Sequence, residues 1–276
     1  MSLIAPVRRA LADTTARSLA AFLPRRLMCA KRHFSLWERR GYHVTPVHYY
    51  EPIPEVHRLP DRLWLERDDL VGIQMNDQSQ LALLDEFAAR YKVEYIMFPL
   101  EESTSDVPFY VHNGWFSAGD AEVLYCFIRQ CRPRRIIEIG SGYSTLVACL
   151  AVKANKTDDP TYDCHFISIE PHPRRELLDK CRQLSEQLEM PVQEVPLSVF
   201  EKLATNDIIF IDSSHIAACG SDVNHEFFRI LPSLAPGVLV HLHDIFIPFE
   251  YPRSWIKDQK LSWNERTASG PRILDL

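Results

Sequence analysis

The stretch Arg134-Arg135-Ile136-Ile137-Glu138-Ile139-Gly140-Ser141-Gly142-Tyr143-Ser144-Thr145 decides the fold. Three isoleucines around a single glutamate make a short β-branched run, and the run stops at a glycine. Immediately beyond, Leu146, Val147, Leu150 and Val152 recur at helical spacing. Strand, tight turn and amphipathic helix follow one another within twenty residues. The two glycines carry weight because glycine is scarce, nine in 276 residues, less than half of ordinary usage at about 7%.

The same alternation continues downstream. His165 to Ile169 reads as a second strand closed by Glu170 and Pro171, and Pro173 opens a helix with the stripe Leu177, Leu178, Cys181, Leu184 and Leu188. Val192 to Val195 reads as a third strand, and Ser198-Val199-Phe200-Glu201 has the form of a capping box. Ile208 to Ile211 is a fourth strand ended by Asp212, a helix covers 221–234, and Gly237 to His241 opens a fifth strand. Upstream, Ser117 caps a helix with the face Val123, Leu124, Phe127 and Ile128. Apolar strands alternating with amphipathic helices predict an α/β fold: a doubly wound, mostly parallel, Rossmann-like sheet with helices on both faces.

Three regions are expected. Residues 1–41 form a basic helical extension: nine Lys/Arg stand against Asp13 and Glu38 in the first forty residues, a net of +7 that leaves −13 on the rest. Residues 42–116 form a cap region rich in proline and aromatics, with a helix near 78–91 marked by Leu81, Leu84 and Phe87 and otherwise loops and short strands. Residues 117–276 are the sheet domain.

Composition excludes several classes. With 46% hydrophobic and 25% charged residues the chain is globular, and no apolar run reaches the ~20 residues of a membrane span. A net charge of −6 argues against a nucleic-acid binder held by phosphate contacts. Peripheral membrane contact by the basic arm and a homo-oligomer both stay open. Seven scattered cysteines without a Cys-x-x-Cys pair point to reduced thiols and a cytoplasmic protein.

Ligands of open α/β sheets bind beyond the carboxyl ends of the strands. Those ends carry Glu138 to Gly142 after the first strand, Glu170 after the second, Asp212-Ser213-Ser214-His215 after the fourth, and His241-Leu242-His243-Asp244 after the fifth. Gly-x-Gly lets backbone approach a ligand, and two carboxylate oxygens at Glu170 can accept both hydroxyls of a ribose. A dinucleotide fingerprint wants a third small residue at 145, which is Thr. A nucleoside without a pyrophosphate fits better.

With these residues, Glu138 to Thr145 followed by Glu170 resembles the S-adenosylmethionine site of class I methyltransferases over residues 117–252. The resemblance implies cofactor contacts at Glu138, Gly140, Ser141, Gly142, Tyr143 and Ser144, ribose binding by Glu170, and adenine near Leu197-Ser198. The Asp-x-x-His of Asp212 and His215 is similar to that of metal-dependent small-molecule O-methyltransferases. This implies catalytic roles for His215 and Asp212 and a divalent metal at Asp212, His243 and Asp244. Imidazole at 243, where the family has a carboxylate, favours a softer ion than Mg²⁺. The family sheet continues past its fifth strand. Only 32 residues follow Asp244, with a helix near 253–261 and one short strand at best in Arg272 to Leu276, so the C-terminal strands read as truncated. The expected function is S-adenosylmethionine-dependent methylation of a small molecule at a hydroxyl oxygen. The competing expectations are a nucleotide-dependent oxidoreductase or hydroxylase on the same sheet, and an inactive methyltransferase-like scaffold.

Overall fold

The computed structural model describes residues 4–71, 73–102 and 107–267. By internal contacts the chain divides into two units, Met1–Leu63 with Pro252–Ser262, and Trp64–Tyr251 with Trp263–Leu276. The first unit holds helix α1 (Ile4–Phe22), along which Leu11, Leu19 and Phe22 are exposed, and several single helical turns. Its returning segment is tied by Arg253 and Lys257 to the Asp61 carboxylate, at 3.1 and 3.0 Å. Among the described residues, no helix is long and apolar enough to cross a membrane.

The second unit is the sheet. Strands β1 (Arg135–Ile139), β2 (His165–Ile169), β3 (Glu186–Leu188), β4 (Ile208–Ile211) and β5 (Leu239–Leu242) lie in the order β3-β2-β1-β4-β5, and all pairs are parallel. Side chains alternate across it. Ile136, Phe166, Ile208 and Phe210 pack on one face with helices α2 (Asp77–Tyr95), α3 (Asp120–Cys131) and α4 (Tyr143–Asp158). Ile137, Ile139, Ile167, Ile169, Ile209 and Ile211 pack on the other with Val192, Phe200, Val223 and Ile230. Burial on both faces explains why the central strands read as continuous apolar runs.

Several expectations need correction. Val192–Glu194 is a 3₁₀ turn, not the third strand: Pro191 and Pro196 bracket it, and Val192 and Val195 both face the core at a spacing of three. The third strand is Glu186–Leu188, an edge strand too polar to look like one. The helix expected from Pro173 is a single turn, α5 (Arg175–Leu178), and Leu188 belongs to the sheet. Ser198 caps nothing, because α6 (Leu197–Phe200) begins after Pro196 without a side-chain cap. Helix α3 starts at Gly119, whose N–H donates to the Glu122 carboxylate, rather than at Ser117. In α2 the buried residues are Phe87 and Tyr91, whereas Leu81 and Leu84 are exposed. No strand lies in the described part of 42–116. Helix 221–234 breaks into α7 (Asp222–His225), a π-helical turn (Glu226–Ile230) and a 3₁₀ turn. Among the described residues no strand follows β5; the expected strand at Arg272–Leu276 lies outside them. Cys149 and Cys181 are disulfide-bonded, their Cα atoms 5.8 Å apart, contrary to the expectation of reduced thiols throughout.

Glu138 organises the turn after β1. Its carboxyl group is fully buried and accepts from Ser144 Oγ at 2.7 Å and Thr145 Oγ1 at 2.6 Å, while Thr145 Oγ1 itself accepts from the Gly142 N–H at 3.0 Å. Backbone loop, helix start and strand end are thus joined by one chain of hydrogen bonds. Replacing Thr145 by Val keeps the shape and takes a partner from the buried Glu138 carboxyl and from the half-buried Gly142 N–H, which should cost roughly 2–6 kcal/mol in urea unfolding at about 1–3 kcal/mol each. Thr145→Ser should retain most of the stability.

Candidate active site

At Gly140 the backbone turns with φ +88°, and a Cβ there would stand 2.1 Å from the Asp212 carbonyl oxygen. The Asp212 N–H donates to the Ile139 carbonyl at 2.9 Å. The glycine loop of β1 and the acidic end of β4 are therefore in van der Waals contact, and only glycine permits it.

Beyond these ends lies a cavity of about 410 Å³. Of the expected cofactor residues, Ser141, Gly142, Tyr143, Ser144 and Glu170 line it; of the expected catalytic and metal residues, Asp212, His215, His243 and Asp244 do. Three expected residues do not line it. Glu138 is 1% exposed, with both oxygens engaged by Ser144 and Thr145. Gly140 lies beneath the loop against Asp212. Ser198 sits on α6 away from the lining. Two features leave room for a ligand at the loop: Ser141 Oγ is buried without a hydrogen-bond partner, and a Cβ at Gly142 would meet nothing within 4 Å. Glu170 accepts one backbone bond, from His172 N at 2.8 Å, which leaves most of its acceptor capacity free. Tyr143 shares a hydrogen bond with Tyr110, their hydroxyls 3.1 Å apart. That bond, with burial, pushes the Tyr143 phenol up to about 12.

The polar end of the cavity is a cluster of carboxylates and imidazoles. Asp212 Oδ1 is 3.3 Å from both His215 Nε2 and His243 Nδ1. His243 Nδ1 is also 3.5 Å from Asp244 Oδ2, and its Nε2 is 3.7 Å from Asp120 Oδ2. These are charge contacts, since neither His243 nitrogen makes a well-formed hydrogen bond. Burial alone would raise Asp212, but its close contacts with His215 and His243 outweigh it and hold the carboxyl well below the usual range. Burial would lower His215, yet Asp212 and Glu265 push it up to about 9. Burial raises Asp244. One donor atom each from Asp212, His215 and Asp244 falls within 4.8 Å of the others, so His215 stands in the grouping expected for His243.

Sequence reasoning missed three neighbours. Asp120 opens α3 and faces His243. Trp263 lines the cavity and packs at a tilt against His215, with ring centroids 4.1 Å apart. Glu265, 1% exposed, hydrogen-bonds His215 Nδ1 at 2.7 Å. The last two come from a segment fifty residues beyond the motif, and no spacing rule connects them to it.

Residues 137–245 match the family model described as a methyltransferase domain. An uncharacterized protein of Archaeoglobus fulgidus is 36% identical over 178 residues, covering 61% of this chain and 77% of that relative. A solved Plasmodium falciparum structure, described as a protein-L-isoaspartate O-methyltransferase in complex with S-adenosyl-L-homocysteine, aligns over 51% of this chain and 68% of its own. Its identity is 14% and its TM-score 0.31. The chain belongs to the class I S-adenosylmethionine-dependent methyltransferases, and the matched residues run from β1 to β5 of its parallel sheet.

Behind the cluster, Glu226 is fully buried at the start of the π-helical turn and accepts from Ser213 Oγ at 3.1 Å. Burial, with the charges of Asp222 and Glu265, pushes its carboxyl up to about 8. An unfolded glutamate titrates near ~4.3. The native state therefore holds this proton more tightly, and the stability it contributes is complete below the unfolded value and lost as pH rises to the native one. Glu226→Gln should melt progressively higher than the unsubstituted protein as pH is raised from about 5 to about 8, with the gap smallest at the acid end.

Proposed function

We propose that this methyltransferase acts on a hydroxyl oxygen of a small molecule, in the cavity between the Ser141–Ser144 loop, Glu170 and the Asp212–His215 cluster. The observation that carries the reading is that the loop and the cluster wall one cavity of about 410 Å³. Ser141 to Ser144 and Glu170 bind the cofactor, Glu170 through the ribose hydroxyls. Glu138 acts from beneath by holding Ser144 and Thr145. The cofactor supplies an electrophilic methyl group; the chain's task is to align an acceptor oxygen with it and to manage the acceptor's proton. Aromatic walls at Trp115, Phe116 and Trp263 suit a compact acceptor with apolar faces.

Glu170→Ala should leave folding intact and weaken binding of S-adenosylhomocysteine by calorimetry, about 10- to 100-fold for each ribose hydrogen bond lost. Each lost charge-assisted bond is worth roughly 1.5–3 kcal/mol. Unaltered affinity would remove Glu170 from the cofactor site.

The finer part of the reading is a divalent cation at Asp212, His215 and Asp244. The residues fit one: two carboxylates and an imidazole present donor atoms within 4.8 Å, and His215 is held through its other nitrogen by Glu265, as ligating histidines commonly are. The mixed nitrogen and oxygen donors favour Mn²⁺, Fe²⁺ or another first-row ion over Mg²⁺. Such an ion would lower the pKa of a bound hydroxyl. His243, set between Asp212 and Asp244, supplies positive charge to the same carboxylates. Titration with Mn²⁺ should reveal one saturable site, abolished in Asp244→Asn with S-adenosylhomocysteine affinity unchanged. No uptake of Mn²⁺, Fe²⁺ or Zn²⁺ by the intact protein would leave His215 as an unaided base.

A further inference from the structure

We propose that Glu265 is the positioning residue for His215, and that Trp263, Asn264 and Glu265 together form a clamp that aims the His215 Nε2 at Asp212 and the cavity. The proposal rests on the reading of Asp212 and His215 as part of the reacting centre.

The motif cannot hold this ring by itself. Asp212 approaches one nitrogen at 3.3 Å, and the His215 backbone has φ +60°, a conformation that non-glycine residues rarely adopt. Something must compensate such a backbone and fix the imidazole plane. The segment 263–265 does both. The Asn264 and Glu265 N–H groups donate to the His215 carbonyl at 3.0 and 3.3 Å. Asn264 Oδ1 accepts from the Ala217 N–H at 2.6 Å, which secures the turn on its other side. The Trp263 ring lies against the imidazole with centroids 4.1 Å apart, and Glu265 Oε2 accepts the Nδ1 proton at 2.7 Å.

With Nδ1 committed to Glu265, Nε2 is the nitrogen left for Asp212 and for chemistry in the cavity. Glu265 does not line the cavity, so it acts through His215 and not on a substrate. The clamp also lies outside residues 137–245, the part matched by the methyltransferase domain. It is a feature of this chain that the domain match does not contain.

The test compares Glu265→Ala and Glu265→Gln with the unsubstituted protein. Three quantities are read: the His215 Nδ1 proton by ¹⁵N-resolved NMR, Mn²⁺ affinity, and S-adenosylhomocysteine affinity. In Glu265→Ala the Nδ1 proton should lose its protection from exchange, and Mn²⁺ should bind 10- to 100-fold more weakly, the usual consequence of removing a carboxylate behind a ligating histidine. S-Adenosylhomocysteine affinity should stay within about twofold, because Glu170 and the Ser141–Ser144 loop are untouched. Glu265→Gln keeps an acceptor at the same reach. It should restore the protected Nδ1 proton and most of the Mn²⁺ affinity, which a merely space-filling residue would not require. A protected Nδ1 proton in folded Glu265→Ala would overturn the proposal. So would loss of the signal in Glu265→Gln equal to that in Glu265→Ala. If the unsubstituted protein binds no Mn²⁺, the cation is overturned, and the NMR signal decides the clamp independently. Should Glu265→Ala not fold, Glu265→Asp replaces it: the side chain is one methylene shorter, and protection undiminished there would likewise count against the clamp.

Discussion

Everything in the site depends on the contact between the Gly140 backbone and the Asp212 carbonyl. Strands β1 and β4 are neighbours at the centre of a parallel sheet, and their carboxyl ends meet so closely that a methyl group at 140 would lie 2.1 Å from oxygen. This contact fixes the distance between the loop that carries Ser141 and Gly142 and the strand end that carries Asp212. In the proposed reading, a cofactor on the first would thereby be registered against whatever the second holds. Glu138 makes the arrangement stiff, since its buried carboxyl joins the strand to the first turn of α4 through Ser144 and Thr145. Alignment to within a fraction of an ångström is what methyl transfer asks of a protein, and it is built here into strand register instead of loop contacts.

The electrostatics at the other side of the cavity follow from the same packing. Asp212, Asp244, Asp120 and Glu265 surround two imidazoles, so negative charge exceeds positive within a few ångströms. Burial works against the charged forms of Asp212, Asp244 and both histidines, and the mutual contacts outweigh it for Asp212 and both histidines. His241, one pleat before His243, shows the contrasting case. It has no carboxylate in contact, and burial with the nearby His243 charge brings it down to about 4. Two histidines two residues apart are thus shifted in opposite directions because carboxylates stand against His243.

What could be read from the sequence was what is local. Ile136 to Gly142, Glu170 and Asp212 to His215 each announce a strand end within a few residues, and strand ends of a parallel sheet converge whatever the loops do. The central strands were legible because both their faces are buried. β3 was not, because an edge strand of three residues, Glu186 to Leu188, has no apolar run to display, while Val192 and Val195 imitate one from a 3₁₀ turn. α5 was overread since Leu177, Leu178, Cys181 and Leu184 keep helical spacing, yet beyond Leu178 the chain leaves the helix and Cys181 is tied to Cys149 on α4. Leu81 and Leu84 failed differently: a periodic stripe is informative only if something covers it, and α2 buries Phe87 and Tyr91 instead.

The partners of His215 mark where local reading ends. Asp212 is three residues away and visible in the motif, whereas Glu265 is fifty residues away and reaches the ring only after the chain has left this unit at Pro252 and returned at Trp263. A glutamate in a tail of mixed composition carries no signal by itself. It acquires meaning only from its burial and from the nitrogen it meets. A histidine placed on a left-handed backbone is costly to hold, by about 1–3 kcal/mol for such conformations. A fold retains that cost where surrounding contacts over-determine it. The carbonyl of His215 receives two N–H groups, its ring a tilted indole and its Nδ1 a buried carboxylate. So many constraints on a single side chain, supplied from outside the matched domain, argue that the direction of its remaining nitrogen is what Trp263, Asn264 and Glu265 are placed to set.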